Sequence, residues 1–219
     1  MNLLQLSWRN LTFRPLSMTL SLVLFALGVG LISILFLVQD QLNKNFERNL
    51  AGIDLVVGAK GSPLQLVLSS MYHIDNPTGN VSLQEVKPFL NPKHPLIEAA
   101  IPLSLGDSHK TFRIVGTDPK ILDLYAASLA TGRVWEHNLE VVIGAGVAAK
   151  LDLRLGDTFS SSHGFAEDEN LAHDHAAFEV VGILNGSGSV LDQLILCSNQ
   201  SYWEVHHEEG TDGETPEDD

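Results

Sequence analysis

Hydrophobic and polar positions follow two regimes along this chain. From Leu16 to Val38 (LSMTLSLVLFALGVGLISILFLV), twenty-three residues pass without one charge and are apolar on every face. A helix rises about 1.5 Å per residue, so this run reaches roughly 35 Å and crosses a hydrocarbon core of about 30 Å. A buried helix of a soluble protein is the plainer alternative, but uninterrupted apolarity of this length on every face argues against it. A cleaved signal peptide would have a shorter apolar run, followed by small residues rather than Gln39-Asp40-Gln41. The pattern predicts an uncleaved transmembrane helix over 16–38. Arg9 and Arg14 precede it, with no acid among residues 1–15, which keeps the N-terminus cytoplasmic. The chain after about residue 40 is then external, and periplasmic in a cell with two membranes. Leu4, Trp8 and Leu11 recur at helical spacing opposite Arg9 and Asn10. Residues 1–15 therefore read either as a cytoplasmic amphipathic segment at the membrane surface or as a plain basic leader.

Past the span the periodicity changes. Gln39 to Leu50 is polar, with Leu42, Phe46 and Leu50 four apart, so the helix is expected to continue as a stalk over 39–52. Ile53–Val57 reads as a short buried strand, 64–72 as a helical or extended apolar run, and His73–Asn80 as a turn-rich loop. Ser82-x-x-Glu85 is a capping box opening a helix through Leu90, and Pro92 and Pro95 end it. Ile97–Leu105 and Lys110–Gly116 are predicted strands around a turn at Gly106-Asp107-Ser108. Asp118-Pro119 starts a helix through Ala127. A strand at Leu139–Ile143, a small-residue helix at Val147–Leu151, strands at Thr158-Phe159 and Phe178–Leu184, a turn at Asn185-Gly186 and a last strand at Gln193–Cys197 complete the series. Residues 53–205 are thus one domain of several short strands and three or four short helices, an α+β arrangement, and 206–219 form an acidic disordered tail.

Charge narrows the function classes. The 219 residues hold 13 Lys plus Arg against 27 Asp plus Glu, a formal net charge of -14. No basic cluster is present to displace counterions from a phosphate backbone, so no nucleic-acid partner is expected. Eight of the acids lie between Glu204 and Asp219, which makes much of the imbalance a local property of the end of the chain. Cys197 is the only cysteine, so the fold rests on core burial rather than on disulfides. Gly58-Ala59-Lys60-Gly61-Ser62-Pro63 has its lysine before the second glycine and a proline after the serine. It is not a phosphate-binding loop of the GxxxxGK[ST] type.

The opening LSWRNLTFRPLSMTLSLVLFALGVGLISIL resembles the first transmembrane segment of FtsX-like ABC-transporter permeases. The segment FRIVGTDPKILDLYAASLATGRVWEHNLEVVIGAGVAAKLDLRLGDTF and the later FEVVGIL are similar, in order, to a MacB-like periplasmic core domain. The resemblance covers almost all of residues 1–205. It implies one N-terminal transmembrane helix followed by a mixed α/β MacB-like periplasmic core domain in the inner membrane. It implies no ATPase activity in the chain itself, a separate cytoplasmic ABC ATPase subunit as partner, and a second permease copy or homologue forming a dimer. ATP-driven closure would pass through the first helix and stalk to the external domain, for export, extraction or signal transmission. Permeases of this type carry three further spans after that domain, so the chain is expected to be either a fragment of a longer permease or a truncated relative.

The residues most suggestive of chemistry are histidines. Ser160 to Ala177 spans eighteen residues between two predicted strands, long for a hairpin connection, and holds His163, His173 and His175 with four carboxylates and no base. His206 and His207 open the acidic tail. Imidazole with carboxylate suits Zn or another divalent metal, and His173-x-His175 puts both residues on one side of an extended segment. The spacing matches no closed zinc motif, and a solvated acidic loop with some histidines is the plainer reading. Tyr72, His73 and Asp75 are better explained by a turn than by acid–base chemistry. Cys197 sits in an apolar strand as an inert thiol, and Trp135 and Trp203 read as packing residues. No GxSxG elbow occurs, and no enzyme is expected. Two readings compete with the permease component: a membrane-anchored periplasmic metal-binding or adaptor protein, and a tethered hydrolase.

Overall fold

The computed structural model describes residues 13–91, 93–163 and 172–207. The expected amphipathic segment therefore lies almost wholly outside the described residues. The chain divides into two compact units, Met1–Phe46 and Glu47–Asp219. Helix α1, Pro15–Leu50, runs 36 residues without a break through both the apolar span and the expected stalk, and none of its residues is buried. Among the described residues it is the one helix long and apolar enough to cross a membrane. On the stalk, Asp40 and Lys44 form an exposed pair one turn apart at 2.6 Å, a geometry worth about 0.3–0.5 kcal/mol to a helix.

The second unit is built on seven strands: β1 Leu103–His109, β2 Phe112–Thr117, β3 Leu129–Gly132, β4 Glu140–Ile143, β5 Thr158–His163, β6 Ala172–Leu184 and β7 Leu194–Ser198. Their order is β3-β6-β4-β7-β2-β1-β5, and β5 also pairs with β6, so the sheet curls until it meets itself. Pairing is mixed: β7 is parallel to β2 and antiparallel to β4, and β4 is parallel to β6. Helices α2 Pro63–Ser70, α3 Leu83–Val86, α4 Lys120–Leu124, α5 Ala145–Leu151 and α6 Asn199–His207 surround the sheet, with a 3-10 turn at Val190–Gln193. This is the mixed α/β domain after an apolar helix that the sequence pattern predicted.

The central strands are apolar on both faces because both faces are covered. Ile114, Val141, Ile143, Ile195 and Cys197 pack in one cluster with Val147, Phe159, Phe178 and Val205. Their chain neighbours Val115, Val142, Leu194 and Leu196 pack in a second cluster with Ile121, Trp135, Leu184 and Leu191. Each such buried aliphatic side chain contributes about 1.5–3 kcal/mol over its exposed state. Adjacent residues fall into different clusters, as the twofold alternation of a strand requires.

Several predicted elements shift. Ile53–Val57 is not a strand; Leu55 and Val57 are half or more exposed, and no ladder pairs them. The capping box forms, with Ser82 Oγ accepting from the Glu85 N–H at 3.3 Å and donating to its carboxylate at 3.1 Å, but the helix stops at Val86. Gly106-Asp107-Ser108 is not a turn. A register shift between Leu105 and Ser108 absorbs those residues into β1, and the chain reverses at Lys110, whose φ is +54°. The eighteen-residue loop is also shorter than expected, because β5 continues to His163 and β6 begins at Ala172. Strand β3 and helix α6 were not predicted. Helix α6 carries through His207, two residues into the segment 206–219 expected to be a disordered tail. Residues 208–219 lie outside the described residues.

The Gly-Arg step at Gly132-Arg133 and the Val-Val-Gly-Ile step at Val180–Ile183 meet where β3 joins β6. Gly132 pairs with Gly182, and Val181 is set out of register between β6 and β4. A Cβ on Gly132 would stand 2.2 Å from the Val181 carbonyl oxygen, and one on Gly182 would stand 2.4 Å from that of Arg133. Only two glycines let the backbones close here. Arg133 then donates to both carboxylate oxygens of Glu140 at 2.7 and 2.5 Å, and the N–H groups of Glu136 and His137 donate to the same carboxylate at 2.8 and 3.1 Å. These donors, Arg133 foremost, hold the Glu140 carboxyl down at about 2. Gly132 has φ +81°, whereas Gly156 has a similar φ, +86°, in open space. Gly156→Ala should therefore cost about 1 kcal/mol for the left-handed backbone alone. Gly132→Ala should cost at least about 3 kcal/mol because backbone must also move. Denaturant unfolding of both variants checks the difference, and equal losses would count against the close-approach account.

Candidate functional site

The last turn of α1, from Glu47, belongs to the second unit. Two left-handed residues, Ala51 at φ +46° and Gly52 at φ +73°, end the helix, and the Ile53 N–H closes the turn on the Leu50 carbonyl at 2.7 Å. Within that turn Asn49 makes two contacts distant in sequence. Its side-chain oxygen accepts from the Val190 N–H at 3.0 Å, and its carbonyl accepts from the Tyr125 hydroxyl at 3.3 Å. The Arg48 guanidinium lies against Gly188, where a Cβ would stand 2.2 Å from Nη1.

The loop that receives Asn49 is held by one carboxylate. Asp192 accepts from the Ser187 N–H at 2.8 Å, the Ser187 hydroxyl at 2.9 Å and the Gly188 N–H at 2.7 Å. Ser189 Oγ accepts from the Leu191 N–H at 3.3 Å and opens the 3-10 turn. That turn leads directly into β7, which lies between β4 and β2. Gly144, at the end of β4, approaches the same turn so closely that a Cβ would stand 2.2 Å from the Leu191 carbonyl. Helix end, turn and sheet centre are therefore joined through a few residues. Tyr125 is half-buried, and burial, with Tyr72 beside it, raises its pKa, so its hydroxyl stays a donor.

A second polar group lies under the segment that follows α2. His73 has φ +53°, is 5% exposed, and its Nδ1 has no hydrogen-bond partner among the described residues. Burial, and then the charge of Arg113 on β2, bring its pKa down to about 4, so it is neutral near pH 7. Asp75 and Tyr202 favour the Arg113 charge against its own burial. The expected turn at Tyr72–Asp75 is present, with a burial that the sequence did not reveal. Cys197 is fully buried and its thiol is pushed up by burial first and Asp107 second, which suits an inert packing residue. Near pH 7 Cys197 therefore stays a thiol, and His73 is a buried, neutral and weakly basic imidazole.

The predicted metal residues fall on three elements. His163 ends β5, and His173 and His175 lie on β6, its antiparallel partner. His206 and His207 occupy the last turn of α6. Among the described residues, no three His, Cys, Asp or Glu stand together as a ligand set. Trp135 is buried in the second cluster, as expected of a packing residue. Trp203 is 43% exposed beside a shallow hollow of about 300 Å³ lined also by Asn138, Gln200 and Glu204.

With this geometry, comparison with known proteins is decisive at the level of family. The family model of the MacB-like periplasmic core domain matches residues 18–213. The chain belongs to that family. Three solved structures are similar to it. The periplasmic region of MacB from Actinobacillus actinomycetemcomitans is 15% identical with a TM-score of 0.41, over 68% of this chain and 65% of that one. A domain of a putative permease from Porphyromonas gingivalis is 15% identical with a TM-score of 0.36, over 53% and 51%. The extracellular domain of the noncanonic ABC-type transporter YknZ from Gram-positive bacteria is 14% identical with a TM-score of 0.39, over 70% and 75%. The match thus spans just under two thirds of the MacB region. Comparison with curated protein sequences gave no match.

His73 gives this MacB-like domain a measurable pH dependence. A histidine lowered by folding is protonated first in the unfolded chain, so stability is complete above about pH 6.5 and declines as pH falls towards about 4. The loss over that window should be about 2–3 kcal/mol. His73→Asn keeps a residue that tolerates positive φ and should flatten the slope of stability between pH 6.5 and 5. Thermal unfolding across that range reads it, and an unchanged slope would assign the dependence to other groups such as His109.

Proposed function

We propose that this chain is the first membrane span and external domain of an ABC-type permease, and that it transmits the work of a separate cytoplasmic ATPase to the outer side of the membrane. The N-terminus is cytoplasmic, the MacB-like domain is periplasmic or extracellular, and a second copy or homologue completes the pair. The reading rests on membership of the MacB-like family together with one structural observation. Helix α1 is continuous from Pro15 to Leu50, and its last turn is hydrogen-bonded to the loop that feeds the central strand β7. ATP hydrolysis belongs to the partner, and the cargo or signal is set by the partner subunits and the external surface.

The test is mechanical uncoupling. The full chain, purified in mild detergent, is expected to bring down a cytoplasmic ABC ATPase whose turnover in membranes depends on it. Asn49→Ala leaves the Val190 N–H without its acceptor, a cost of about 1–3 kcal/mol at that junction. It should leave capture of the ATPase intact and lower the dependent turnover at least about threefold, a change of roughly 0.7 kcal/mol in coupling. Failure to capture any ATPase, or full turnover in the Asn49→Ala chain, would overturn the reading.

A further inference from the structure

The segment Ile53–Val57 is apolar but for Asp54 and belongs to no ladder. Among the described residues, no backbone group from Asp54 to Gly58 has a hydrogen-bond partner. Both ends of the segment are nevertheless held. The Ile53 N–H donates to the Leu50 carbonyl at 2.7 Å, and the Ala59 carbonyl accepts from the Thr78 hydroxyl at 3.0 Å. Gly58 lies so close to α2 that a Cβ there would stand 2.3 Å from Leu66 Cδ1. Ile, Leu and Val in such a run favour a strand, and no Lys, Arg or Pro blunts its free edge. Leu55 is 69% exposed and Val57 50%.

An open edge of this kind accepts an added strand, whose main-chain bonds give affinity and whose alternate side chains give specificity. A lipid surface would cover Leu55 and Val57 but leave the main-chain groups unpaired. The sequence suits a second copy of itself. In an antiparallel pairing centred on Leu55, Leu55 meets Leu55, Ile53 meets Val57 and Asp54 meets Val56. The one charge in the segment then opposes an aliphatic side chain, whereas a parallel in-register pairing would set Asp54 against Asp54, and opposed like charges are destabilising. Pairing about a two-fold axis uses the same patch on both copies and closes without leaving that edge free.

We infer that Ile53–Val57 is the edge at which two copies of this chain pair antiparallel about Leu55. A short two-stranded pairing alone is marginal in water. The pairing therefore rests on the reading of α1 as a membrane span, which confines both copies to one membrane and raises their effective concentration.

Oxidative crosslinking of the full chain in native membranes tests it. Opposed residues of an antiparallel pair have Cβ atoms about 4.5–5.5 Å apart, which a small adjustment brings to disulfide geometry. Cys197 is fully buried, so the parent chain serves as the blank. Leu55→Cys should give at least about tenfold more disulfide-linked dimer than Leu96→Cys, a control at a position 89% exposed. Ile53→Cys should link to a co-expressed, differently tagged Val57→Cys chain. Ile53→Cys alone should not link, because the two copies of residue 53 would lie about 13 Å apart along the strands. No more dimer from Leu55→Cys than from Leu96→Cys, equal linking by Ile53→Cys alone, or a disulfide to a different protein in place of the dimer would overturn the pairing. Capture of the ATPase from the same membranes reads the permease role separately, so a failed crosslink with capture intact overturns the pairing and not that role.

Discussion

The fold of the MacB-like domain depends on β7 being covered on both faces and on both edges, and the residues just ahead of β7 are hydrogen-bonded to the last turn of α1. The Val190 N–H lies at the start of the 3-10 turn, and its acceptor is the side chain of Asn49, 141 residues earlier in the chain. A single such bond contributes only about 1 kcal/mol net, yet an unpaired partner at a half-buried position costs about 1–3 kcal/mol. The bond is strengthened by its setting. Asp192 fixes the loop with three donors, Tyr125 ties the helix backbone to the α4 region, and Ala51 and Gly52 end the helix immediately afterwards. Stiffness at the junction comes from these contacts together.

The same economy appears where the sheet bends. β6 offers one edge to β4 and shares the other between β5 and β3, which a regular strand cannot do without a change of register. The changes fall at Val181, next to the facing glycines, and at the four residues opposite Ser161. The first is locked by glycine and by the Arg133–Glu140 pair.

The apolar span, the stalk and most of the strands were legible because each is a long or strictly alternating pattern that tertiary contacts reinforce. Leu139–Ile143 and Gln193–Cys197 shifted by one residue at most. The misreadings have physical causes. Gly106 signals a turn locally, but the bulge in β1 accommodates it. Ile53–Val57 has the composition of a strand and no neighbour to pair with. Strand β3, LATG, is too short and too small in its side chains to register, and it exists because β6 offers it an edge. Helix α6 contains two histidines, a glutamate and a tryptophan with no clear stripe, and it is held by Val205 and by Ser198 Oγ accepting from the Ser201 N–H. The motif glycines were visible as letters, but their role as points of backbone contact required the structure. Asn49, the residue on which the junction turns, gave no signal, since a polar residue at the end of a polar stalk is unremarkable in sequence.

The last turn of α1 stays joined to the loop ahead of β7 only if the Asn49–Val190 contact persists in solution. Native-state hydrogen exchange at the Val190 amide tests this most directly. The account predicts protection of that amide within about tenfold of the β7 amides and its loss in the Asn49→Ala chain. Exchange at the rate of an open loop while β7 stays protected would show that the helix end is not held by the domain, and would contradict the account.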